Sequence, residues 1–269
     1  GDLLLTTPLL HSIRKAYPDC QLDVLVFQSA APMLEGNLDI DRVIQKPEGN
    51  GFFEDLKLSI SLFRKYDVAF VTQTGDRPFF YSLLAAPIRL AVVAPNTKSG
   101  WWKRCFAQYW TEFDDLDTHT ILQNLELAKL VGIAPRTKLV PPRPPAAPSI
   151  LASTLEESRY AVFHMYPQRV YKRWTIDGWA AVGNFLREHQ IRLVLSGSAG
   201  KEEIEYIRRI QVQLPEDTIT LAGKVSFAEL AEIIKHACLF VGLDTGVTHL
   251  ASATGVPVVA LFGPTNPVK

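Results

Sequence analysis

The second half of the chain alternates short apolar segments with longer segments of helical character, and this alternation constrains the fold more than any other feature. The apolar segments predict strands at 161–164, 192–196, 218–221, 239–242 and 257–262. The segments between them predict helices at 177–188, 202–212, 227–235 and 247–254. Strands of continuous Val, Leu, Ile and Phe are typical of a parallel sheet that helices cover on both faces. Ligands of such a sheet bind at the carboxyl ends of its strands.

The first half of the chain repeats this pattern less regularly. It predicts strands at 22–27, 68–72 and 89–93 and helices at 8–16, 54–66 and 120–131. The first helix has no strand before it, so we expect the opening strand of this sheet to be absent from the chain. Since the sequence begins at Gly1 and stops at Lys269 just after a proline-bearing turn, we expect a fragment trimmed at both ends.

A proline-rich segment separates the two halves. Residues 134–150 contain six prolines, which oppose helix formation and favour an extended tether. A length of 269 residues also favours two domains, since a typical domain has about 100–200 residues. We therefore place one α/β domain at 1–145 and a second at 146–269.

Charge and cysteine content argue against several classes of protein. The chain carries 28 Lys and Arg against 28 Asp and Glu, and neither half has an excess of either sign, so we expect no nucleic-acid partner. The three cysteines are far apart and lack the spacing of a zinc or redox site, which fits a reducing, cytoplasmic compartment. No apolar run approaches the roughly 18 residues that span a bilayer. We expect a protein that is soluble or peripheral to a membrane.

The most informative segment, 239–265, predicts a strand, a turn, a helix and a second strand. Gly246 allows a tight turn, and free N–H groups of Thr245 to Thr248 would make the helix start an anion site suited to a pyrophosphate. Asp244 would cap the helix or accept from a sugar hydroxyl, and His249 would donate to a phosphate oxygen. Spacing alone leaves open that these residues only cap and pack. The Asp-Thr-Gly triplet also occurs in aspartic proteases, but its place between a parallel strand and a helix argues against that all-β class.

Two further loops follow strands of the same sheet. Lys172 could reach a diphosphate as a point charge, although a surface lysine is usually only solvated. Trp174 and Trp179 are expected to pack this loop and the next helix against the sheet. Glu202, after a loop of small residues, could accept the hydroxyls of a ribose, although acidic residues are common in a first helical turn. The three loops together are more informative than any one of them.

These motifs resemble those of glycosyltransferase family 9, the heptosyltransferases of lipopolysaccharide core assembly. The resemblance rests on segments 172–174, 221–226, 244–249 and 259–265, and less specifically on 1–10 and on His119 with the helix after it. It implies the GT-B fold, in which two Rossmann-like domains with parallel sheets face each other across a cleft. It also implies that the N-terminal domain binds the acceptor and the C-terminal domain binds the nucleotide sugar.

The resemblance also implies roles for individual residues. Asp2 would be the general base that takes the proton from the acceptor hydroxyl, unless it only caps the first helix. Lys172 would neutralise the leaving diphosphate, and Glu202 would hold the ribose. The remaining donor contacts would come from Val225, Asp244, Thr245, Gly246, Val247 and His249. The sequence departs from the family at Tyr166, Pro167 and Gln168, where small hydroxyl residues are often found.

Acceptor residues are expected on loops of the first domain. The candidates are basic, because inner-core sugars carry anionic groups, and they are Arg77, Lys98, Lys103 and Arg104. The basic and aromatic loop at 96–104 could instead rest on an anionic membrane, since the family's acceptor is a lipid-anchored saccharide at the cytoplasmic leaflet. For any one of these residues, a solvated surface position is the simpler interpretation.

The predicted activity is an inverting transfer of heptose from ADP-heptose to a lipopolysaccharide inner-core acceptor, in the cytoplasm or at the inner face of the inner membrane. Two alternatives stay open. One is a GT-B enzyme that uses another nucleotide sugar, as a transferase or an epimerase, and the other is a module that binds nucleotide without turnover. No cluster of His, Cys, Asp or Glu has metal-ligand spacing, so we expect no tightly bound metal. A magnesium ion carried with the nucleotide sugar is left open.

Overall fold

The computed structural model describes residues 2–49, 51–95, 100–114, 116–144 and 159–264. The chain divides into two compact units. The first contains the described parts of Asp2–Ala31 and Leu38–Val140, and the second contains Pro32–Asn37 together with 141–144 and 159–264. The predicted domain boundary between 145 and 146 lies outside the described residues and stays a prediction.

The first unit contains five strands and five α-helices among its described residues. The strands are β1 (Asp23–Phe27), β2 (Arg42–Lys46), β3 (Val68–Val71), β4 (Ile88–Val93) and β5 (Tyr109–Glu112). The helices are α1 (Thr7–Ala16), α2 (Phe52–Leu62), α3 (Asp76–Ala85), α4 (Trp101–Phe106) and α5 (Thr120–Lys129). β1 and β2 form one parallel sheet, and β3, β4 and β5 form a second in that order.

Apolar side chains of α1, α5 and β4 share one buried cluster in the first unit. Leu9 and Ile13 of α1 and Leu125 of α5 belong to this cluster, together with Leu90 and Val92 of β4. Apolar residues at helical spacing give α1 and α5 one face each that can be removed from water. The start of the chain, which precedes α1, is thereby attached to the core of this unit.

The second unit contains five strands and four α-helices among its described residues. The strands are β6 (Tyr160–His164), β7 (Arg192–Ser196), β8 (Ile219–Thr220), β9 (Leu239–Leu243) and β10 (Val258–Leu261). The helices are α6 (Ile176–Glu188), α7 (Lys201–Gln211), α8 (Phe227–His236) and α9 (Gly246–Thr254). All five strands are parallel, as the sequence predicts, and their order is β10-β9-β6-β7-β8.

The order in which the strands are added to the sheet reverses beside β6, which makes this position a topological switch point. From β6 the chain proceeds to β7 and β8 on one side, and it then returns to β9 and β10 on the other side. The loops after β6 and β9 therefore leave the same edge of the sheet and continue in opposite directions. Open parallel sheets bind ligands in the crevice that forms at such a point.

Two tryptophans anchor the loop after β6 to the core. Trp179 of α6 is fully buried against Phe163 of β6, with ring centroids 5.4 Å apart. Trp174, from the loop, meets Trp179 edge-on with ring centroids 5.2 Å apart. The predicted packing role of both tryptophans is confirmed, and the turn that carries Lys172 is held close to the sheet.

Most of the predicted elements agree with the structure. The strand predicted at 192–196 is confirmed over its full length. The helix predicted over 54–66 was too long, because α2 ends at Leu62 and the backbone of Arg64 is left-handed, with φ of 49°. Helices α3 and α4 and strands β2 and β5 were not predicted.

Candidate functional site

Two charged side chains meet at the switch point of the second sheet. Lys172 ends a 3-10 turn at Val170–Lys172, which follows β6, and Asp244 directly follows β9. The Nζ of Lys172 lies 2.5 Å from Oδ2 of Asp244 and 3.4 Å from its backbone oxygen. Both side chains are largely buried, with 18% and 20% exposed. The structure thus brings together two predicted site residues that lie 72 positions apart in the sequence.

The ion pair leaves the lysine able to bind an anion. An ammonium group has three N–H bonds, so it can hold a carboxylate and still donate to a further oxygen. The backbone of the lysine turn is also supported, because a Cβ at Gly263 would lie 3.4 Å from the carbonyl oxygen of Tyr171 and 3.6 Å from Cα of Lys172. A diphosphate at this edge of the sheet would meet a cation whose backbone is packed against the loop after β10.

Helix α9 begins beside this ion pair. Thr245 is its N-cap, but the Thr245 side chain makes no capping hydrogen bond, and its hydroxyl oxygen is buried without a hydrogen-bond partner in the described part of the chain. The N–H groups of Thr248 and His249 donate to the backbone oxygen of Thr245 at 3.1 and 3.4 Å. The expectation of a free N–H at Thr248 was therefore wrong, because this group closes the first turn. The first amides of the helix, at Gly246 and Val247, have no acceptor within the helix.

The side chains in the first turns of α9 differ in burial and in their hydrogen bonds. The alternative in which Thr245 serves only as a cap is not supported, because its hydroxyl caps no amide. The hydroxyl of Thr248 donates to the backbone oxygen of Leu243, which fastens the helix start to β9. The side chain of Val247 is buried, so this residue offers a ligand its backbone amide. His249 is half-buried one turn into the helix.

Glu202 lies at the same edge of the sheet, in the first turn of α7. It is exposed, and its Oε2 accepts a hydrogen bond from the hydroxyl of Tyr166 at 3.2 Å. Arg173, which the sequence did not single out, donates to the same hydroxyl at 2.9 Å. The neighbouring Glu203 is instead buried and accepts from the hydroxyl of Ser198. Of the two carboxylates, Glu202 is therefore the one that can meet a ligand.

The loop after β8 carries Val225 and packs against the loop after β7. The N–H of Gly223 donates to the backbone of that loop at 2.9 Å, and Gly223 is left-handed with φ of +69°. A Cβ at Gly223 would approach Ala199 to 3.0 Å, so this close contact requires glycine. Val225 is half-buried directly before Ser226, the N-cap of α8. Val225 therefore lies on a loop adjacent to the one that leads to Glu202.

A buried histidine at the end of β6 was not predicted as a functional residue. The Nδ1 of His164 lies 3.1 Å from Oγ of Ser196, whose hydroxyl donates to the backbone oxygen of Phe163 at 3.1 Å. Burial lowers the pKa of His164 to about 4, and a smaller opposing effect comes from a hydrogen bond to the backbone of Ser196. The imidazole is therefore neutral at pH 7, and its contacts join the carboxyl ends of β6 and β7.

Asp2 lies in the first unit, before the 3-10 helix at Leu4–Thr6, and it is exposed. Its backbone oxygen accepts from the hydroxyl of Thr6 at 3.3 Å. The N-cap of α1 is Thr6, so Asp2 does not cap that helix, and the capping alternative for α1 was wrong. The role of Asp2 as a general base stays a prediction.

Four basic residues were predicted to bind the acceptor, and one of them, Lys98, lies outside the described residues. Lys103 of α4 has only 4% of its side chain exposed, and its Nζ lies 2.7 Å from Oδ1 of Asp76. Arg104 pairs with a glutamate of β5 at 2.8 Å. Arg77 is half-buried in the first turn of α3. Lys103 and Arg104 thus have carboxylate partners within the first unit, and acceptor binding by these residues stays a prediction.

Over the described ranges of the chain, no helix has the length and apolar character needed to cross a membrane. Within the same ranges, no group of three or more His, Cys, Asp or Glu is placed to hold a metal ion. Whether transfer needs a metal stays a prediction.

Known proteins share both the sequence pattern and the fold. The model of glycosyltransferase family 9 (heptosyltransferase) matches residues 105–269. Lipopolysaccharide heptosyltransferase 3 of Escherichia coli is 28% identical over 282 residues, which cover 99% of this chain and 81% of that protein.

Two solved structures show how far the fold is shared. A family 9 glycosyl transferase from Veillonella parvula superimposes with a TM-score of 0.84 at 22% identity, over 100% of this chain and 79% of that chain. An E. coli heptosyltransferase with ADP-2-deoxy-2-fluoro heptose gives a TM-score of 0.78 at 23% identity, over 99% and 87% of the two chains. The α/β architecture is thus the GT-B fold. Since the family model covers more than half of the sequence, the chain belongs to glycosyltransferase family 9, the heptosyltransferase family.

Proposed function

We propose that the protein transfers heptose from ADP-heptose to an inner-core acceptor of lipopolysaccharide, with inversion at the anomeric carbon. The observation that carries this proposal is the pairing of Lys172 with Asp244 beside the start of α9, at the switch point of the second sheet. A cation next to a helix N-terminus suits the diphosphate of a nucleotide sugar. Relatives named as lipopolysaccharide heptosyltransferases support the choice of sugar and acceptor.

The diphosphate is the part of the donor that this site is best equipped to bind. Lys172 neutralises the negative charge that develops on the diphosphate as its bond to the sugar breaks. The amides of Gly246 and Val247 donate to phosphate oxygens, since they have no acceptor within α9. The buried hydroxyl of Thr245, which has no partner in the described part of the chain, and the side chain of His249 add further donors.

The remaining donor contacts involve hydroxyl groups and the nucleoside. Glu202 accepts from the ribose hydroxyls, because its carboxylate is exposed at the edge of the sheet. Asp244 accepts from a sugar hydroxyl, and the half-buried Val225 contributes apolar surface. Carboxylates suit hydroxyl groups, which need an acceptor once water has been displaced.

Asp2 is the proposed general base. Its carboxylate takes the proton of the acceptor hydroxyl while that oxygen attacks the anomeric carbon of the donor. The bond from the anomeric carbon to the diphosphate oxygen breaks, its electron pair leaves with ADP, and the configuration inverts. No tightly bound metal is required in this scheme, and a magnesium ion carried with the nucleotide sugar is compatible with it. Transfer that persists in the presence of EDTA would support this view.

The acceptor is proposed to bind to the first unit, with Arg77, Lys98, Lys103 and Arg104 as the candidate contacts. Peripheral contact with the inner face of the inner membrane is a related proposal. Helix α2 supports it, because Phe53 and Ile60 are 83% and 68% exposed and Lys57 lies exposed between them. An apolar and basic helix face suits an anionic bilayer surface.

The membrane proposal is tested by co-sedimentation with vesicles. We expect the protein to sediment with vesicles of phosphatidylcholine and phosphatidylglycerol, but less with phosphatidylcholine alone. Replacing Phe53 and Ile60 with serine should reduce this binding. Equal sedimentation of the wild type and the double variant would contradict a role for this face of α2.

Calorimetric titration with ADP, UDP and GDP tests the donor site. We expect selective binding of ADP that is lost in Lys172→Ala and in Asp244→Ala. Lys235→Ala is the matched control, because it removes an exposed lysine at the end of α8. If neither Lys172→Ala nor Asp244→Ala changes ADP binding, these residues only cap and pack. A preference for UDP would indicate that the donor is another nucleotide sugar.

Transfer of labelled heptose tests the reaction itself. Asp2→Ala should abolish transfer while it leaves the binding of ADP unchanged, since its proposed role is in the proton transfer alone. Intact transfer by this variant would contradict the assignment of the base but not the family. ADP binding by the wild type without any transfer would favour a non-catalytic nucleotide-binding module.

A further inference from the structure

A cluster of one basic and two aromatic side chains lies beside Glu202. The guanidinium carbon of Arg173 lies 4.6 Å from the ring centroid of Tyr166 and 5.3 Å from that of Tyr206. The two rings meet edge-on with centroids 5.5 Å apart. The hydroxyl of Tyr206 donates to the backbone oxygen of Trp174 at 3.1 Å. The cluster therefore fastens the loop after β6 to helix α7.

Two consecutive hydrogen bonds connect this cluster to Glu202, and the donor and acceptor of each follow from the groups involved. A terminal nitrogen of Arg173 donates to the hydroxyl of Tyr166 at 2.9 Å, and a guanidinium cannot accept a hydrogen bond. The phenolic proton is therefore directed to Oε2 of Glu202, 3.2 Å away. Donation by a cation polarises the hydroxyl and strengthens it as a donor.

The hydrogen bond from Tyr166 restricts a side chain that would otherwise be mobile. Glu202 is exposed, and an exposed glutamate has several accessible rotamers. A hydrogen bond to Oε2 restricts the rotation of the carboxylate and leaves Oε1 to accept a further hydrogen bond. The adjacent Glu203 cannot replace it, because Glu203 is buried and bonded to Ser198.

We infer that Tyr166, supported by Arg173, is a positioning residue that orients the Glu202 carboxylate toward the ribose hydroxyls of the donor nucleotide. The site thereby selects ribonucleotides over nucleotides without those hydroxyls. This inference rests on the proposed function, in which Glu202 holds the ribose. It explains why a tyrosine stands at 166, because a small hydroxyl side chain has no ring to stack on Arg173.

The test compares binding of ADP with binding of 2′,3′-dideoxy-ADP by calorimetry. Tyr166→Phe keeps the ring and removes the hydroxyl. We expect this change to weaken ADP binding by about threefold to tenfold, the usual effect of one hydrogen bond, and to leave dideoxy-ADP binding unchanged. In a Glu202→Gln background the same change should have no further effect on ADP binding. Tyr171→Phe is the control, because it removes an exposed hydroxyl of the same loop.

Each outcome separates this inference from the proposed function. If the wild type binds both nucleotides equally, the ribose contact of Glu202 fails. If Glu202→Gln removes the preference for ADP but Tyr166→Phe retains it, only the role of Tyr166 is overturned. Arg173→Met, which removes the donor to Tyr166, provides a second variant and should reduce the preference in the same direction. An equal loss of affinity for both nucleotides in Tyr166→Phe would indicate a structural role and overturn the inference.

Discussion

Lowering the pH is expected to destabilise the second unit through His164. The side chain is fully buried, and its pKa falls from an ordinary value of 6.5 to about 4 in the folded protein. Between these values the unfolded chain binds a proton that the folded chain excludes. The neutral, buried histidine therefore contributes its full stabilisation above pH 6.5, and this contribution is lost as the pH falls toward 4.

The magnitude follows from the difference between the two pKa values. Each tenfold difference in proton affinity is worth about 1.4 kcal/mol. The contribution of His164 is therefore about 3 kcal/mol in full, and most of it is lost between pH 7 and pH 4.5. This is a large part of the roughly 5–15 kcal/mol that stabilises a typical domain.

Urea unfolding at several pH values between 7 and 4.5 measures this effect. In a background with Trp101, Trp102 and Trp110 replaced by phenylalanine, the fluorescence of Trp174 and Trp179 reports on the second unit. His164→Gln removes the titrating group, so its free energy of unfolding should fall by about 2–3 kcal/mol less than that of the wild type over this range. His189→Gln is the matched control, because it removes an exposed histidine. Equal pH dependence in the wild type and His164→Gln would refute the argument from burial.

Two further changes probe the backbone near the site. Gly223→Ala should lower the free energy of unfolding by about 2–3 kcal/mol, because the backbone there is left-handed and the new Cβ would press on Ala199. Gly255→Ala should lower it by about 1 kcal/mol, because that backbone is also left-handed but a Cβ there would contact nothing. If denaturant titrations give the same loss of stability for both variants, the contact with Ala199 adds no destabilisation. Ser226→Ala should cost about 1 kcal/mol, because Ser226 and Glu229 form a capping box. An unchanged unfolding midpoint would contradict that role of the serine, and Ser226→Thr should restore most of the loss.

The second sheet could be predicted from the sequence because its central strands contain continuous apolar residues and are almost fully buried. All five residues of β6 are buried, and four of the five residues of β7 are buried. A strand that is covered on both faces needs apolar side chains at nearly every position. Its outline therefore appears directly in the sequence, and the helices between such strands follow from their own spacing.

The first unit was harder to predict because its missed strands lie at sheet edges. In β2 and β5, only one residue or none is buried, and polar residues interrupt both segments. Helix α3 was missed for another reason, since it contains Pro78. A proline in the first turn of a helix breaks no internal hydrogen bond, so the helix accommodates it.

In the candidate site, features built from residues close in the sequence could be predicted, and contacts between distant residues could not. The strand, turn and helix around Asp244 and Thr245 could be predicted, because these elements follow one another in the sequence. The hydrogen bond from Tyr166 to Glu202 could not, since the two residues lie 36 positions apart and only the packing of α7 brings them together. The ion pair of the buried Lys103 with Asp76 could not be predicted either, because neither α3 nor α4 was predicted.

In the proposed function, the ion pair of Lys172 and Asp244 prepares one site for both the diphosphate and the sugar of the donor. A largely buried ammonium beside a helix N-terminus would face the positive end of the helix dipole, and the carboxylate offsets that repulsion. A diphosphate brings its own negative charges to Lys172 and α9, so the lysine no longer depends on Asp244. The carboxylate can then accept from a hydroxyl of the sugar attached to that diphosphate. In the proposed function, the carboxylate of Asp244 is therefore a counter-charge for Lys172 before the donor binds and a hydroxyl acceptor once the donor is bound.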